Sequence, residues 1–173
     1  MLGDLLYSLR NTEFLFNLFG YISFRSGLSL VTSFFIVLVL MPYWIKIQKN
    51  AFPSGQPIRT DGPQSHYHKK GTPTLGGVLV LFSIIMSTIL WTSSFSSFNY
   101  ILILTLILFG LIGFFDDLQK VKLGKGITSK IKFLSQLFAT LVIYFSIKYN
   151  GFDLNQFSIP FLKNVSIELG YFY

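Results

Sequence analysis

Two adjacent carboxylates, Asp116 and Asp117, are the residues whose type and position most suggest chemistry. They directly follow an uncharged stretch that ends at Phe115, in a chain with only seven acidic residues. Carboxylates at a membrane boundary and near a helix C-terminus are unfavourable, which suggests a cation or proton as their partner. Magnesium on a diphosphate fits, since it takes one or two carboxylates plus phosphate oxygens. Two solvated acids beyond a helix end are the alternative.

The adjacency of Asp116 and Asp117 limits how they can act together. Neighbouring side chains on a helix point about 100° apart, so the two carboxylates cannot share one face of a regular helix. Either the helix ends at this pair, or one Asp binds a ligand while the other fixes local structure. A zinc site fits the pair poorly, and the absence of Cys excludes disulfides and thiolate metal sites.

A glycine-containing segment forms a second candidate site, at the predicted start of a helix. It reads Lys69-Lys70-Gly71-Thr72-Pro73-Thr74-Leu75-Gly76-Gly77. Free backbone N–H groups at a helix start, with lysines beside them, suit an anion such as phosphate. The alternative is a glycine-rich helix start whose lysines only mark topology. The spacing is not that of a P-loop. Upstream, His66 and His68 have no third metal ligand nearby, which favours a hydrogen-bonding or passive loop role.

The elements that hold these residues follow from the distribution of charge. Charged residues make up 12% of the chain and hydrophobic residues 51%, whereas a soluble domain has about 25% charged residues. This composition excludes an ordinary cytosolic domain, a disordered chain and a coiled coil, and indicates a membrane protein. Uncharged runs of 20, 45 and 15 residues cover 26–45, 71–115 and 133–147.

The uncharged runs predict an all-α, polytopic membrane helix bundle. At about 1.5 Å per residue the first run crosses the ~30 Å hydrocarbon core, and the second suits two passes. Lys132 and Lys148 can extend the third by reaching toward the interfaces. The prediction is therefore four complete transmembrane helices and the start of a fifth, forming one incomplete membrane domain over 1–173. The four spans lie near 24–45, 75–92, 99–115 and 131–149.

The basic residues predict the orientation of the bundle. Ten of the 14 lie in or beside two connecting segments, 46–74 and 116–130. The positive-inside rule places both segments in the cytoplasm and the N-terminus outside. The predicted external segments are 1–23, 93–98 and 150–170. Because each basic cluster adjoins a membrane span, it marks topology and contact with membrane lipids, and a nucleic-acid partner is disfavoured. The second cluster, from Lys120 to Lys132, could also help hold an anionic substrate.

Several motifs in order make the chain resemble the N-terminal half of the phospho-N-acetylmuramoyl-pentapeptide transferase family, also called translocase I. The resemblance covers essentially the whole chain. The motifs are Phe24-Arg25, Arg59-x-Asp61-Gly-Pro-x-Ser65-His66, Lys69-x-Gly71-Thr-Pro-Thr-Leu-Gly-Gly77, Gly110-x-Ile-Gly-Phe-x-Asp116-Asp117-x-x-Lys120-Val, Pro160-Phe161-x-Lys163 and Leu169-Gly170-x-Phe172-Tyr173.

The resemblance implies a ten-helix bundle in the bacterial inner membrane, with a homodimer of the complete protein as one option. It implies transfer of phospho-N-acetylmuramoyl-pentapeptide from its UDP carrier to undecaprenyl phosphate. The products are lipid I and UMP, Mg²⁺ is the cofactor, and the reaction is the first membrane step of peptidoglycan synthesis. Direct attack by the lipid phosphate and a covalent enzyme intermediate are both compatible with this chain.

The resemblance also assigns site residues. Asp116 and Asp117 are the acidic pair at the catalytic centre, where one deprotonates or positions the attacking lipid phosphate. Lys69 and Thr74 match active-site positions, with Lys69 a phosphate contact, and His66 matches a motif position without a fixed role. Either Asp could contact the metal, with the main metal ligand expected in the missing C-terminal half. Because that half also carries the nucleotide-binding motifs, this chain alone is expected to be inactive.

Three rival functions stay open from the sequence. Another polyprenyl-phosphate N-acetylhexosamine-1-phosphate transferase would share the topology and the acidic pair, although the Asp-Gly-Pro-x-Ser-His motif favours the muramoyl enzyme. A small protein that moves a proton or cation would place Asp116 inside a span, facing a cavity. A nonfunctional gene remnant is the third.

Overall fold

Helices make up most of the described chain. The computed structural model describes residues 2–53, 74–92 and 96–152, together with the backbone of two short strands at 156–158 and 166–168. The α-helices in these ranges are α1 (Leu2–Ser8), α2 (Ile22–Ala51), α3 (Gly76–Trp91), α4 (Ser97–Leu123) and α5 (Ser129–Tyr149). Two 3-10 helices, Leu9–Asn11 and Phe14–Gly20, connect α1 to α2.

The long helices have the dimensions of membrane spans. α2, α4 and α5 are long and apolar enough to cross a membrane, with 30, 27 and 21 residues. α3 is also apolar but has 16 residues, or about 24 Å at 1.5 Å per residue. Many large apolar side chains on these helices are exposed, as expected where hydrocarbon is the surrounding solvent. The predicted helical membrane bundle is confirmed.

Two of the helices continue beyond the predicted apolar spans. α2 runs to Ala51, past the predicted limit of 45, and α4 runs to Leu123, past the predicted limit of 115. The expectation of a connecting segment from 116 therefore needs correction, since 116–123 is helical. Charge marks where an apolar stretch ends, whereas a helix continues until its backbone is stopped. At the end of α4 the stop is Gly124, whose φ of 75° suits glycine.

Successive helices α2 to α5 run antiparallel. The Trp44 indole donates a hydrogen bond to the Leu75 carbonyl oxygen at 3.0 Å, and Trp91 donates to Thr32 Oγ1 at 3.0 Å. The first contact joins the C-terminal part of α2 to the start of α3, and the second joins the N-terminal half of α2 to the end of α3. At the α3–α4 junction, Trp91 and Asn99 line the same cavity. One end of the bundle therefore holds the C-termini of α2 and α4 and the N-termini of α3 and α5.

Small hydroxyl residues form the buried face of α3. Ser83 and Ser87 are almost fully buried, and each donates to a carbonyl oxygen one turn earlier, Val80 at 2.7 Å and Ile84 at 3.0 Å. Small residues let helix backbones approach closely, which supplies much of the packing energy between helices in a membrane. The hydroxyls are satisfied within α3, so they can be buried at little cost.

The N-terminal segment caps the other end of the bundle. Arg25 at the start of α2 pairs with Asp4 of α1 at 3.0 Å and also donates to the Phe19 carbonyl oxygen. The Phe19 ring stacks on Trp91, with ring centroids 6.0 Å apart. A cavity of about 580 Å³ adjoins this cap. Its polar lining comes from Arg25, Ser26, Ser29, Ser33, Ser87, Thr88, Thr92, Ser96 and Asn99.

A short β-ribbon lies in the predicted external segment 150–170. Strands β1 (Gln156–Ser158) and β2 (Ser166–Glu168) pair antiparallel, with Phe157 opposite Ile167. The ribbon adds to the predicted all-α architecture without changing its class. Three-residue strands are too short to give a periodic signal in the sequence. The predicted start of a fifth span, 171–173, lies outside the described residues, as does 93–95 of the predicted external turn.

Gly110 marks a close contact between α3 and α4, and a larger side chain there should disturb it. A Cβ atom at Gly110 would overlap the Leu81 side chain, whereas a Cβ at Gly113 meets nothing within 4 Å. We expect Gly110→Leu to destabilise the bundle by about 1–3 kcal/mol, the usual cost of overpacking. Melting temperatures in detergent micelles measure this. Gly113→Leu is the matched control, and equal melting temperatures for the two variants would contradict the close contact.

Candidate functional site

The candidate site lies at the end of the bundle where α4 ends and α5 begins. Gly110 of α4 lies against Leu81 of α3, and α3 and α4 are antiparallel. Asp116 is six residues after Gly110, and Leu75 is six residues before Leu81. Because the helices run in opposite directions, Asp116 and Leu75 lie at the same level. The helix register therefore brings Thr74 and the acidic pair, two separate predictions from the sequence, to the same level of the bundle.

Asp116 is buried and has charged partners on two elements. Its side chain is 8% exposed, and Oδ2 lies 2.8 Å from Lys120 Nζ and 3.0 Å from Lys132 Nζ. Its Oδ1 accepts a hydrogen bond from the Ile127 backbone N–H at 3.0 Å. Asp116 therefore ties the last turns of α4 to the connecting turn and to the first turn of α5.

These contacts stabilise the ionised form of Asp116, which follows the apolar span 99–115. The Lys120 ammonium first, and then Lys132, lower the pKa of the Asp116 carboxyl to about 2, against an ordinary value of 3.8. The Ile127 N–H adds to this effect, and burial opposes it. Asp116 is thus an ionised carboxylate at neutral pH, with both oxygens already engaged.

Asp117 has a different environment from its neighbour. Its side chain is 38% exposed, and its Oδ1 lies 2.8 Å from Lys120 Nζ. Lys120 therefore bridges both carboxylates of the pair. Of the two alternatives that adjacency leaves open, the helix does not end here, because α4 continues to Leu123. That leaves the other alternative, in which one Asp binds a ligand and the other fixes local structure; Asp116 is the buried, ion-paired member of the pair and Asp117 the accessible one.

Thr74 lies just before α3, beside the contact between Trp44 and Leu75. Its Oγ1 is buried and has no hydrogen-bond partner among the described residues, and the same holds for Gln48 Nε2 near the end of α2. Buried polar atoms without a partner are rare and costly. They are candidates for a ligand contact at this end of the bundle. Lys69 and His66, the other two predicted residues of this loop, lie outside the described residues.

Sequence reasoning missed three residues of this site: Gly126, Ile127 and Lys132. Ile127 contributes only its backbone N–H, and Lys132 was assigned to a topological cluster because lysines at a membrane boundary usually mark orientation. The position of the lysines carried a partial signal. A lysine in the first turn of a helix is unfavourable for the helix dipole, so an acidic partner near the start of α5 would be stabilising there.

The donor set fits a magnesium ion in part. Asp117, half-exposed and a hard oxygen donor, can serve as one carboxylate ligand. Asp116 does not fit, because its two oxygens are engaged by two lysines and a backbone N–H. Within the described ranges no group of three or more His, Asp or Glu residues gathers around a common point. Further ligands would therefore come from phosphate, water or protein groups outside these ranges.

Curated proteins match this chain over its whole length. It is 40% identical to a phospho-N-acetylmuramoyl-pentapeptide-transferase from Rickettsia prowazekii (strain Madrid E), 40% to one from Desulfotalea psychrophila and 43% to one from Desulforapulum autotrophicum. The alignments cover 100% of this chain and 48–49% of each relative, so the chain spans about half the length of the relatives it matches. No family model matches it. The chain is therefore similar, over its whole length, to about half of each of these phospho-N-acetylmuramoyl-pentapeptide transferases.

Proposed function

We propose that this chain is the part of a phospho-N-acetylmuramoyl-pentapeptide transferase that contributes the acidic pair to the active site. The whole enzyme would transfer phospho-N-acetylmuramoyl-pentapeptide from UDP-N-acetylmuramoyl-pentapeptide to undecaprenyl phosphate, giving lipid I and UMP. The single observation that carries this is a half-exposed carboxylate, Asp117, held by Lys120. It lies at an end of the bundle where a lipid phosphate and a water-soluble nucleotide could meet.

The chemistry assigns separate tasks to the residues at this end. An oxygen of the acceptor phosphate forms a bond to the β-phosphorus, and the bond from that phosphorus to the oxygen of UMP breaks. Asp117 takes a proton from the acceptor phosphate or orients it, which requires an accessible carboxylate within hydrogen-bond reach. Lys120 holds Asp117 at 2.8 Å and provides positive charge near the phosphates. Thr74 offers its buried hydroxyl to the same anion, and Lys69 would add a further cation.

Mg²⁺ is the cofactor that fits this proposal, with Asp117 as one ligand. When bound, such an ion neutralises phosphate charge and polarises the phosphoryl group. The enzyme would act at the cytoplasmic face of the inner membrane, with the basic segments around 46–74 and 116–130 inside and the N-terminus outside.

The described contacts disfavour the rival of a small proton- or cation-moving protein. That rival requires Asp116 to face a cavity from within a span. The described cavity of about 580 Å³ lies at the opposite end of the bundle, and Asp116 is absent from its lining. Two lysines and a backbone N–H fix Asp116 as an ion-paired group, which is a poor carrier for protons.

Reconstitution tests the proposed function. The chain is co-expressed with the complementary half of the Rickettsia prowazekii relative and purified in detergent with Mg²⁺. Labelled UDP-N-acetylmuramoyl-pentapeptide and undecaprenyl phosphate are then supplied. We expect lipid I from the two halves together and none from either alone. Lipid I made by the 173-residue chain alone would contradict the assignment of an incomplete site. Transfer of N-acetylglucosamine-1-phosphate in place of the muramoyl substrate would favour the related transferase.

A further inference from the structure

The turn between α4 and α5 is built around the carboxylate of Asp116. Residues 124–128 connect the two helices, and the Ile127 N–H in this turn donates to Asp116 Oδ1 at 3.0 Å. Lys132, one turn into α5, reaches Asp116 Oδ2 at 3.0 Å. Asp116 thus contacts the turn and the following helix through different oxygens, which fixes both relative to α4.

Gly126 shows how closely the turn approaches this carboxylate. A Cβ atom at Gly126 would lie 2.5 Å from Asp116 Oδ1 and 3.1 Å from Lys120 Cε. A free carboxylate could rotate away from such a contact, but this one is held by two ammonium groups and a backbone N–H. The close approach therefore requires a residue without a side chain.

Lys132 occupies a position that its own helix does not favour. It lies in the first turn of α5, where the positive end of the helix dipole disfavours a cation. Its ion pair with Asp116 offsets that cost and neutralises part of a buried charge. Lys130, in the same turn, is exposed and has no such contact among the described residues.

We propose that Lys132 is a positioning residue: with the Ile127 N–H it holds Asp116 as the structural member of the acidic pair, so that Lys120 stays between the carboxylates and Asp117 faces the phosphates. The part concerning Asp117 rests on the proposed function, whereas the part concerning the turn does not. Without Lys132, the buried carboxylate would draw Lys120 fully to itself. Asp117 would then lose the contact that orients it.

Hydrogen–deuterium exchange of the 173-residue chain in lipid nanodiscs tests the structural step. We expect Lys132→Met to speed exchange across 124–128 at least tenfold, and Lys132→Arg to restore slow exchange. Lys130→Met, which removes the same charge one half-turn away, should leave exchange unchanged. Lys132→Gln serves as a second neutral variant, and circular dichroism establishes that each variant is helical. Exchange that is equal for Lys132→Met and Lys130→Met would overturn the proposal.

Activity of the reconstituted two-chain enzyme tests the link to Asp117. Lys132→Met should lower kcat by tenfold or more with little change in KM for the nucleotide substrate, and Lys132→Arg should recover most of it. A rise in KM alone would overturn the positioning role, because it would indicate a direct substrate contact. If the 173-residue chain and the complementary half, both without substitutions, make no lipid I, the proposed function fails. The exchange result still decides the role of Lys132 in the turn.

Discussion

Removing both lysines that pair with Asp116 should destabilise the bundle more than any other pair of surface changes at this end. In Lys120→Met/Lys132→Met, the Asp116 carboxylate, which is 8% exposed in the unchanged chain, keeps the Ile127 N–H as its one partner among the described residues. A buried charge left without its partners typically costs about 3–5 kcal/mol. The expected result is a large fall in the melting temperature of the chain in detergent micelles at neutral pH.

The chain offers a matched control for this double substitution. Lys122→Met/Lys130→Met removes the same two charges from the same two elements, but both side chains are exposed. Its melting temperature should stay close to that of the unchanged chain. Adding Asp116→Asn to Lys120→Met/Lys132→Met should recover part of the loss, because the uncompensated charge is then gone. Equal losses in the two double variants would show that Asp116 is solvated rather than buried.

Much of the architecture could be predicted from where charge is absent. The uncharged runs predict four apolar segments, and α2 to α5 contain them almost entirely. This works because a bilayer excludes charge over a fixed thickness, so the signal depends on composition more than on packing. The helix ends were not predictable in this way. α4 passes the acidic pair without interruption and ends at Leu123, eight residues after Phe115, because Gly124 stops it there.

The residue types of the candidate site could be predicted from the sequence, but the separate roles of Asp116 and Asp117 could not. Asp116 and Asp117 stand out because acids are rare in this chain, and a helical geometry already requires them to face different directions. Which of the two is buried depends on the turn that packs against α4. That turn contributes a glycine and a backbone N–H, and the helix after it contributes a lysine 16 residues from Asp116 in sequence. Such contacts depend on how the chain turns back and leave only a weak trace in local sequence.

Asp117→Asn should strongly slow the proposed transfer reaction while leaving the fold intact. Asp117 is 38% exposed and its described contact is with Lys120, so the amide costs little stability at a solvated position. Loss of a positioned general base or phosphate-orienting carboxylate typically costs about 10²–10⁴-fold in rate. In the reconstituted two-chain enzyme we therefore expect kcat for lipid I formation to fall by that factor.

The same variant separates the two members of the acidic pair. Exchange across 124–128 should be unchanged in Asp117→Asn, because the contacts of that turn are made to Asp116. Glu13→Gln, an exposed acid in the N-terminal segment at the opposite end of the bundle, is the control for loss of one negative charge and should keep full activity. Activity within fivefold of the unchanged enzyme in Asp117→Asn would rule out this residue as the reactive carboxylate. Because Asp116 already has lysine and backbone partners at both oxygens, that outcome would move the proton-accepting group away from the pair altogether.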